Sequence, residues 1–275
     1  MATIPLYEEV YAQLRALTGH YFVLVTTRGN TAITAALSLL PTDKRLLIPE
    51  EGGWIHYYKA PEKLKLGFEK VKCDQAKIKV ADLEQKLKKG EFSALLYQQP
   101  GGYFAEQPMK VIYELCARYG CLVIMDVSGS IGTRLCDGRY ADILVGSFRK
   151  LVDASEGGFI TFKDEELWQK GIFFVEELRR KEALEEIEQK LIKLPARISF
   201  LTETRRKIMK NLAGFNLIHR DDIGFVVMVK FNDEAEKEKI IKYCTQEKLP
   251  WTECPRYIRL NEKAISIELK QLESE

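Results

Sequence analysis

A lysine and an aspartate, each placed after a short apolar stretch, are the residues of this chain whose types and spacing point to chemistry. Asp126 follows the apolar residues 121–125, and Lys150 follows the apolar run 144–146, with Ser147 three positions before the lysine. A lysine amine can form a Schiff base with the aldehyde of pyridoxal phosphate (PLP), and a carboxylate keeps the pyridine nitrogen of that cofactor protonated. Ligands of open α/β sheets bind at the carboxyl ends of the strands, where both residues are expected. The pair predicts a PLP site; the alternative is that Asp126 only caps a turn.

The segment that begins at Gly29 has the composition of an anion-binding helix start. Residues 23–25 predict a strand directly before it, and an apolar, alanine-rich stretch follows from Thr31. The first N–H groups of a helix have no partner within the helix, and the helix dipole favours an anion there. We predict that four successive residues form a phosphate cup: Gly29, Asn30, Thr31 and Ala32. The hydroxyl groups of Thr31 and Ser147 would add donors, and the alternative is a core helix capped by threonine or asparagine.

Two further segments follow predicted strands and are candidates for lining the site. Trp54 comes after the strand 46–49 and two glycines, and the face of a tryptophan can stack on a pyridine ring. The alternative for Trp54 is an ordinary core or interface tryptophan. The loop 98–103 also lies at the carboxyl end of a predicted strand, and the alternative, slightly favoured by its glycines, is that it only makes a turn.

In this order, the motifs resemble the DegT-type aminotransferases, a family of the aspartate-aminotransferase superfamily with PLP fold type I. Residues 30–32 match that family's Gly-Thr-Ala-type helix start, and Trp54 matches the aromatic residue that stacks on the cofactor ring. Residues 126–132 are similar to the family's Asp-Ala-Ala-Gln-Ala-x-Gly segment, and residues 156–158 follow Lys150 as Glu-Gly-Gly does in the family. The resemblance runs from about Ala12 to Leu167 and implies PLP as cofactor and a homodimer.

Three features depart from the pattern of that family. Gly129 stands where the family usually has a glutamine that contacts the cofactor, and Ser128 is our candidate substitute. Ser147 lies closer to Lys150 than is usual there, and a chain of 275 residues is short for the family. Because the missing length lies before Ala12 and after Leu167, where substrate is usually bound, the resemblance determines the cofactor better than the substrate.

Helices and strands alternate along the first part of the chain. We predict helices at 31–40, 80–88 and 108–119, and strands at 45–48, within 64–73, and at 94–97, 121–125, 144–147 and 159–162. Such alternation is typical of a parallel sheet with right-handed crossover helices. We therefore predict an α/β fold, a mainly parallel mixed sheet between helices, in a large PLP-binding domain of residues 1–190.

After residue 164 the pattern changes to that of a small α+β C-terminal domain, residues 191–275. Residues 165–191 read as one long charged helical region, and Pro195 is expected to restart a helix that ends near residue 212. A strand 224–231, a helix 235–248, and a hairpin of strands 257–260 and 264–269 follow. Small domains of this superfamily often place a substrate-carboxylate arginine here, so Arg256 and Arg259 are candidate substrate-binding residues. The alternative for each is a surface strand arginine.

Composition excludes several other classes of protein. The net charge of +2 gives no electrostatic reason to expect nucleic acid as a partner. No apolar run is long enough to span a membrane, and the N-terminus lacks a basic region and an apolar core, so no signal peptide and a cytoplasmic location are expected. The chain has six cysteines without a Cys-x-x-Cys pair and only three histidines, so no metal site is predicted.

The function predicted from these residues is transamination between an amino acid and a keto sugar or keto acid. Lys150 would hold the cofactor and act as general base, with Asp126 at the ring nitrogen. The expected partners are a small-molecule amino donor and an acceptor. One alternative is a PLP-dependent lyase or desulfurase, since fold and cofactor do not determine the reaction. A desulfurase would need a nucleophilic cysteine, and Cys136 is the nearest to the Asp126 region. Two further alternatives are a non-catalytic binding protein of the same fold and an α/β protein that does not bind PLP.

Overall fold

A seven-stranded sheet with helices on both faces forms most of the molecule. The computed structural model describes residues 6–256 and 259–273. The strands of this sheet are β1 (Phe22–Thr26), β2 (Arg45–Pro49), β3 (Phe68–Val71), β6 (Phe92–Gln98), β7 (Leu122–Asp126), β8 (Ile143–Ser147) and β9 (Gly158–Phe162), and β4 (Cys73–Asp74) pairs with β5 (Lys77–Ile78) beside it. Their spatial order is β1-β9-β8-β7-β6-β2-β3. The five strands from β8 to β3 are parallel, and β9 is antiparallel to both of its neighbours.

Helices pack on this sheet in two layers, because its central strands are apolar on both faces. They are α1 (Leu6–Thr18), α2 (Gly29–Ser38), α3 (His56–Leu64), α4 (Val80–Leu87), α5 (Met109–Arg118), α6 (Glu165–Gly171) and α7 (Lys181–Asn211), while α8 (Glu234–Gln246) packs on the C-terminal sheet. Residues of α2 and α3 share one buried apolar cluster with the sheet, while residues of α1, α4, α5 and α7 share another. The predicted α/β class with a mainly parallel sheet is confirmed, and the carboxyl ends of β7 and β8 meet beside the start of α2.

A four-stranded antiparallel sheet forms the small C-terminal domain. Its order is β10-β11-β13-β12, from β10 (Asn216–Ile218), β11 (Val227–Lys230), β12 (Trp251–Arg256) and β13 (Leu260–Ile267). The predicted strand 224–231 is shorter than expected, and β10 and α1 are elements that the sequence analysis did not assign. Among the described residues, no helix is both long and apolar enough to cross a membrane.

The prediction of one helical region over residues 165–191 is wrong. Helix α6 ends at Gly171, a short 3₁₀ turn covers Ile172–Phe174, and α7 begins only at Lys181. Pro195 does not start a helix; it lies inside α7. The helix continues through the proline because Leu191, Leu194 and Leu201 of its apolar face are buried, and this burial outweighs the lost backbone hydrogen bond. The predicted domain boundary at residue 190 falls within α7 and stays a prediction.

The predicted hairpin with its turn at residues 261–263 is also wrong. Those residues lie inside the continuous strand β13, and residues 257 and 258 of the predicted first strand lie outside the described part of the chain. Polar residues at 261 and 262 read as a turn, but they have tertiary partners on the strand. Glu51 accepts from the Asn261 N–H at 3.1 Å, and Gln75 donates to Glu262 at 3.1 Å. These contacts satisfy polar groups that a turn would expose to water.

Candidate functional site

A cavity of about 310 Å³ lies at the carboxyl ends of β7 and β8, against the start of α2. Side chains from several separate segments line it, as expected where the strand ends of an open α/β sheet face a helix N-terminus. The lining residues are Arg28, Gly29, Asn30, Ile33, Trp54, Tyr103, Asp126, Ser128, Ser147, Arg149 and Lys150. Seven of the predicted site residues are therefore together in one cavity, although they span more than a hundred positions of the sequence.

Asp126 forms the buried acidic end of the cavity and is 4% exposed. Its Oδ1 accepts hydrogen bonds from the N–H and the hydroxyl of Ser128, at 2.9 and 2.6 Å, and its Oδ2 accepts one from the Tyr57 hydroxyl at 2.9 Å. Burial raises the pKa of the Asp126 carboxyl, while these hydrogen bonds and the charge of Lys150 oppose the rise. No cation of the described residues lies within ion-pair distance of this carboxylate, so it can pair with a cationic group of a ligand.

Lys150 faces the same cavity from the segment after β8. Its Nζ lies 5.4 Å from the centroid of the Trp54 ring. Burial, together with the charges of Arg149 and Arg259, lowers the pKa of the Lys150 amine, which Asp126 and Glu268 partly counteract. No carboxylate among the described residues forms an ion pair with it. A lysine with a lowered pKa is more often neutral and can act as a nucleophile or a base.

The start of α2 supplies the proposed phosphate site, but with fewer residues than predicted. Helix α2 begins at Gly29, not at Thr31, and a Cβ on Gly29 would lie 2.7 Å from Ser147 Cβ, so only glycine fits this close approach. The N–H groups of Thr31 and Ala32 both donate to Arg28 O, and the Thr31 hydroxyl does so at 2.7 Å. Of the four residues of the predicted phosphate cup, Gly29 and Asn30 line the cavity and Thr31 and Ala32 do not. Phosphate binding at this helix start stays a prediction.

Trp54 and Ser128 orient neighbouring groups as well as lining the cavity. The indole N–H of Trp54 donates to Asn30 Oδ1 at 3.0 Å, which joins the predicted ring-stacking residue to the start of α2. The hydroxyl of Ser128 donates to Asp126 and accepts from the Ser147 N–H at 2.9 Å. Ser128 therefore links the ends of β7 and β8, in addition to the cofactor contact predicted for it.

The two predicted substrate arginines do not line this cavity. Arg259 forms a buried ion pair with Glu268, and it donates to Ser266 Oγ at 3.0 Å. Its guanidinium carbon lies 5.6 Å from the ring centroid of Tyr103, so Arg259 stands directly behind one wall of the cavity. Arg256 is the last residue of β12 and is half-buried outside the lining. The carboxylate-binding role of both remains a prediction.

Sequence reasoning did not identify two tyrosines of the site. Tyr57 is completely buried and bonds Asp126, but nothing in the run His56, Tyr57, Tyr58 distinguishes it from an ordinary core aromatic. Tyr103 lines the cavity from the loop 98–103, a segment whose position after a strand indicates a lining role but in which the sequence distinguishes no single residue. One sequence signal for Tyr57 is its position three residues after Trp54. In the structure the Tyr57 N–H donates to the Trp54 carbonyl, so the two residues belong to one helical turn.

Comparison with known proteins places this chain in a family. The model of the DegT/DnrJ/EryC1/StrS aminotransferase family matches residues 4–191, more than half of the chain, and the protein belongs to that family. A model described as the MJ1341 family C-terminal domain matches residues 196–275. No curated protein matches the sequence.

Solved structures of PLP enzymes share the fold. A serine palmitoyltransferase variant from S. paucimobilis with bound PLP-myriocin aldimine has 17% identity and a TM-score of 0.78, over 97% of this chain and 72% of that one. Ureidoglycine-glyoxylate aminotransferase from Bacillus subtilis has 14% identity and a TM-score of 0.74, over 95% and 78%. Cystathionine gamma-lyase from Lactobacillus plantarum, complexed with L-serine, has 14% identity and a TM-score of 0.70, over 84% and 67%. The fold is therefore PLP fold type I.

The residues of the cavity fit PLP, the cofactor of this family. The cofactor's pyridine nitrogen, aldehyde, ring and phosphate each find a matching group in the cavity. These are a buried carboxylate that has no ion-pair partner among the described residues, a half-buried lysine of lowered pKa, an aromatic wall and a helix start led by glycine.

Proposed function

We propose that this protein is a PLP-dependent aminotransferase that moves an amino group between an amino acid and a keto sugar or keto acid. The observation that carries the proposal is that Asp126 and Lys150 face one cavity with Trp54 and the start of α2. Family membership and the aminotransferases among the similar structures support the same class. We further propose that the protein is a cytoplasmic homodimer.

Each residue of the cavity has a distinct proposed role. PLP, when bound, withdraws electrons from a carbon that carries an amino group. Asp126 holds a negative charge where the ring nitrogen binds, and Ser128 and Tyr57 keep that carboxylate in place. Lys150 would hold the cofactor through its amine and, once an incoming substrate amine displaces it, would move a proton at the substrate carbon, which its lowered pKa favours. Gly29, Asn30 and Ser147 bind the phosphate.

The charges around the cavity favour anionic ligands. Two arginines, Arg28 and Arg149, line it, whereas Asp126 is the one carboxylate among the described lining residues. Behind Tyr103, Glu268 forms ion pairs with both Arg259 and Lys270, and burial lowers the pKa of the Lys270 amine to about 7. A cofactor phosphate and a substrate carboxylate would both be attracted there, and we propose Arg259 as the residue that binds the carboxylate.

The desulfurase alternative has less support. Its discriminating feature would be a nucleophilic cysteine, but Cys136 is 7% exposed, and burial raises the pKa of its thiol to about 12. A thiol that keeps its proton at neutral pH is a poor nucleophile. Cys136 is also absent from the lining of the cavity.

The proposal is tested by reconstitution with PLP followed by half-reactions. The purified protein with PLP should develop a visible absorption band, and borohydride should fix a pyridoxyl group on Lys150. A panel of amino acids should then convert the band to that of the aminated cofactor, with release of the keto acid. A fixed cofactor that no amino acid converts would support the non-catalytic alternative, and absence of any adduct would refute PLP binding at Lys150.

A further inference from the structure

A buried amide beside Asp126 lacks the hydrogen bonds it needs. Gln98 is the last residue of β6, stands opposite Asp126 in the register of the sheet, and is 1% exposed. Within the described part of the chain, neither its Oε1 nor its Nε2 has a hydrogen-bond partner. Unpaired buried polar groups destabilise a protein and are rare in native structures. A ligand bound in the cavity could form the hydrogen bond that this amide lacks.

Tyr103 lies between this amide and the cavity. It is 5% exposed and lines the cavity, and its hydroxyl lies beside the Gln98 side chain. Burial, followed by the charge of nearby Asp126, raises the pKa of Tyr103, so the hydroxyl keeps its proton. Its backbone has φ = 71°, a left-handed conformation that is strained for tyrosine. Strain of this kind concentrates at functional sites.

The ring of Tyr103 lies where a side chain at position 129 would lie, and residue 129 is a glycine. A Cβ on Gly129 would lie 2.5 Å from Tyr103 Cδ1, so only glycine is compatible with this ring position. On the other side, Lys270 Nζ lies 4.4 Å from the ring centroid. Tyr103 is therefore held at the position where a residue at 129 would otherwise reach the ligand beside Asp126.

We infer that Tyr103, backed by Gln98, contacts the PLP ring on the side of Asp126 and hydrogen-bonds the ring hydroxyl, in place of the side chain that Gly129 lacks. This inference rests on the proposed binding of PLP. Tyr103 contributes the group that faces the cavity, and the Gln98 amide either positions the Tyr103 hydroxyl or binds the same ligand oxygen. The Gln98 amide would then gain a hydrogen bond that it lacks among the described residues.

The test compares the affinity of PLP and the stability of the apoprotein. Tyr103→Phe removes only the hydroxyl, so it should weaken PLP binding about tenfold, which corresponds to 1.4 kcal/mol, and leave the melting temperature of the apoprotein unchanged. The phosphate ester of 3-deoxypyridoxal, which lacks the ring hydroxyl, should bind the wild type and Tyr103→Phe equally. Equal affinity of the two proteins for PLP itself would overturn the inference.

Two further variants separate a ligand contact from a structural role. Gln98→Met removes an unsatisfied amide, so it should raise the apoprotein melting temperature while it weakens PLP binding; a lower melting temperature with unchanged affinity would refute the role of Gln98. Gly129→Ala displaces the Tyr103 ring and should weaken PLP, whereas Gly214→Ala, in open space, should not. A wild type that fails to bind PLP would instead refute the proposed function.

Discussion

Replacing Tyr57 by phenylalanine removes one hydroxyl from the hydrogen bonds of Asp126, and the loss of stability should depend on pH. The bond to Oδ2 is 2.9 Å long, and both residues are buried. A hydrogen bond to a charged group is worth about 1.5–3 kcal/mol, which corresponds to about 1–2 pKa units. Because this bond lowers the pKa of Asp126, which burial raises, Tyr57→Phe raises that pKa further.

The direction of the pH dependence follows from linkage. A carboxyl group whose pKa is higher in the folded than in the unfolded protein reduces stability as the pH rises from the unfolded to the folded value. Because Tyr57→Phe raises the folded-state pKa of Asp126, the pH range over which stability is lost extends to higher pH. At pH 7 the variant apoprotein should therefore lose about 1.5–3 kcal/mol of unfolding free energy relative to the wild type, and near pH 4 the loss should be smaller, because protonated Asp126 leaves only a neutral hydrogen bond to remove.

Urea unfolding of the apoprotein at several pH values measures this difference, and the chain offers a matched control. Tyr97 is equally buried, and its hydroxyl donates to Met125 Sδ at 3.1 Å, so Tyr97→Phe removes a bond to a weak, uncharged acceptor. Its effect should be small and independent of pH. Equal losses in the two variants at every pH would show that the Tyr57 bond does not act on the charge of Asp126.

Three other changes test the proposed roles. Lys150→Ala should abolish the borohydride-fixed cofactor without lowering the apoprotein melting temperature, because it removes a partly buried amine that has no ion pair; an unchanged adduct in peptide mapping would refute the assignment. Asp126→Asn should retain the bound cofactor but lose most of the turnover, and near wild-type rates would contradict its role at the ring nitrogen. Gly29→Ala forces a shift against Ser147 and should weaken PLP about tenfold, or 1.4 kcal/mol, but leave binding of phosphate-free pyridoxal unchanged in equilibrium titrations. An equal loss for both ligands would argue against a phosphate site at the start of α2.

The α/β class could be predicted from the sequence because alternating apolar strands and amphipathic helices are local patterns. The predicted ends of helices and strands are wrong where contacts with residues distant in the sequence determine the conformation. Pro195 interrupts the pattern of a helix, yet buried leucines on both sides keep α7 continuous. Asn261 and Glu262 resemble a turn, yet Glu51 and Gln75 hold them on a strand. Neither set of partners is visible from the neighbouring residues.

For the candidate site, the amino-acid sequence shows which residue types could hold PLP and in which order they occur. A strand-end aspartate, a serine and a lysine after the next strand, and a glycine-led helix start are each recognisable within a few residues. How these groups meet and what surrounds them depends on contacts between distant segments. Tyr57, Gln98 and Tyr103 lie far from Asp126 along the chain, and the pairing of β6 with β7 and the packing of α3 bring them to it. Hydrogen bonds, burial and the resulting pKa shifts depend on distances in space, so they appear only after the chain has folded.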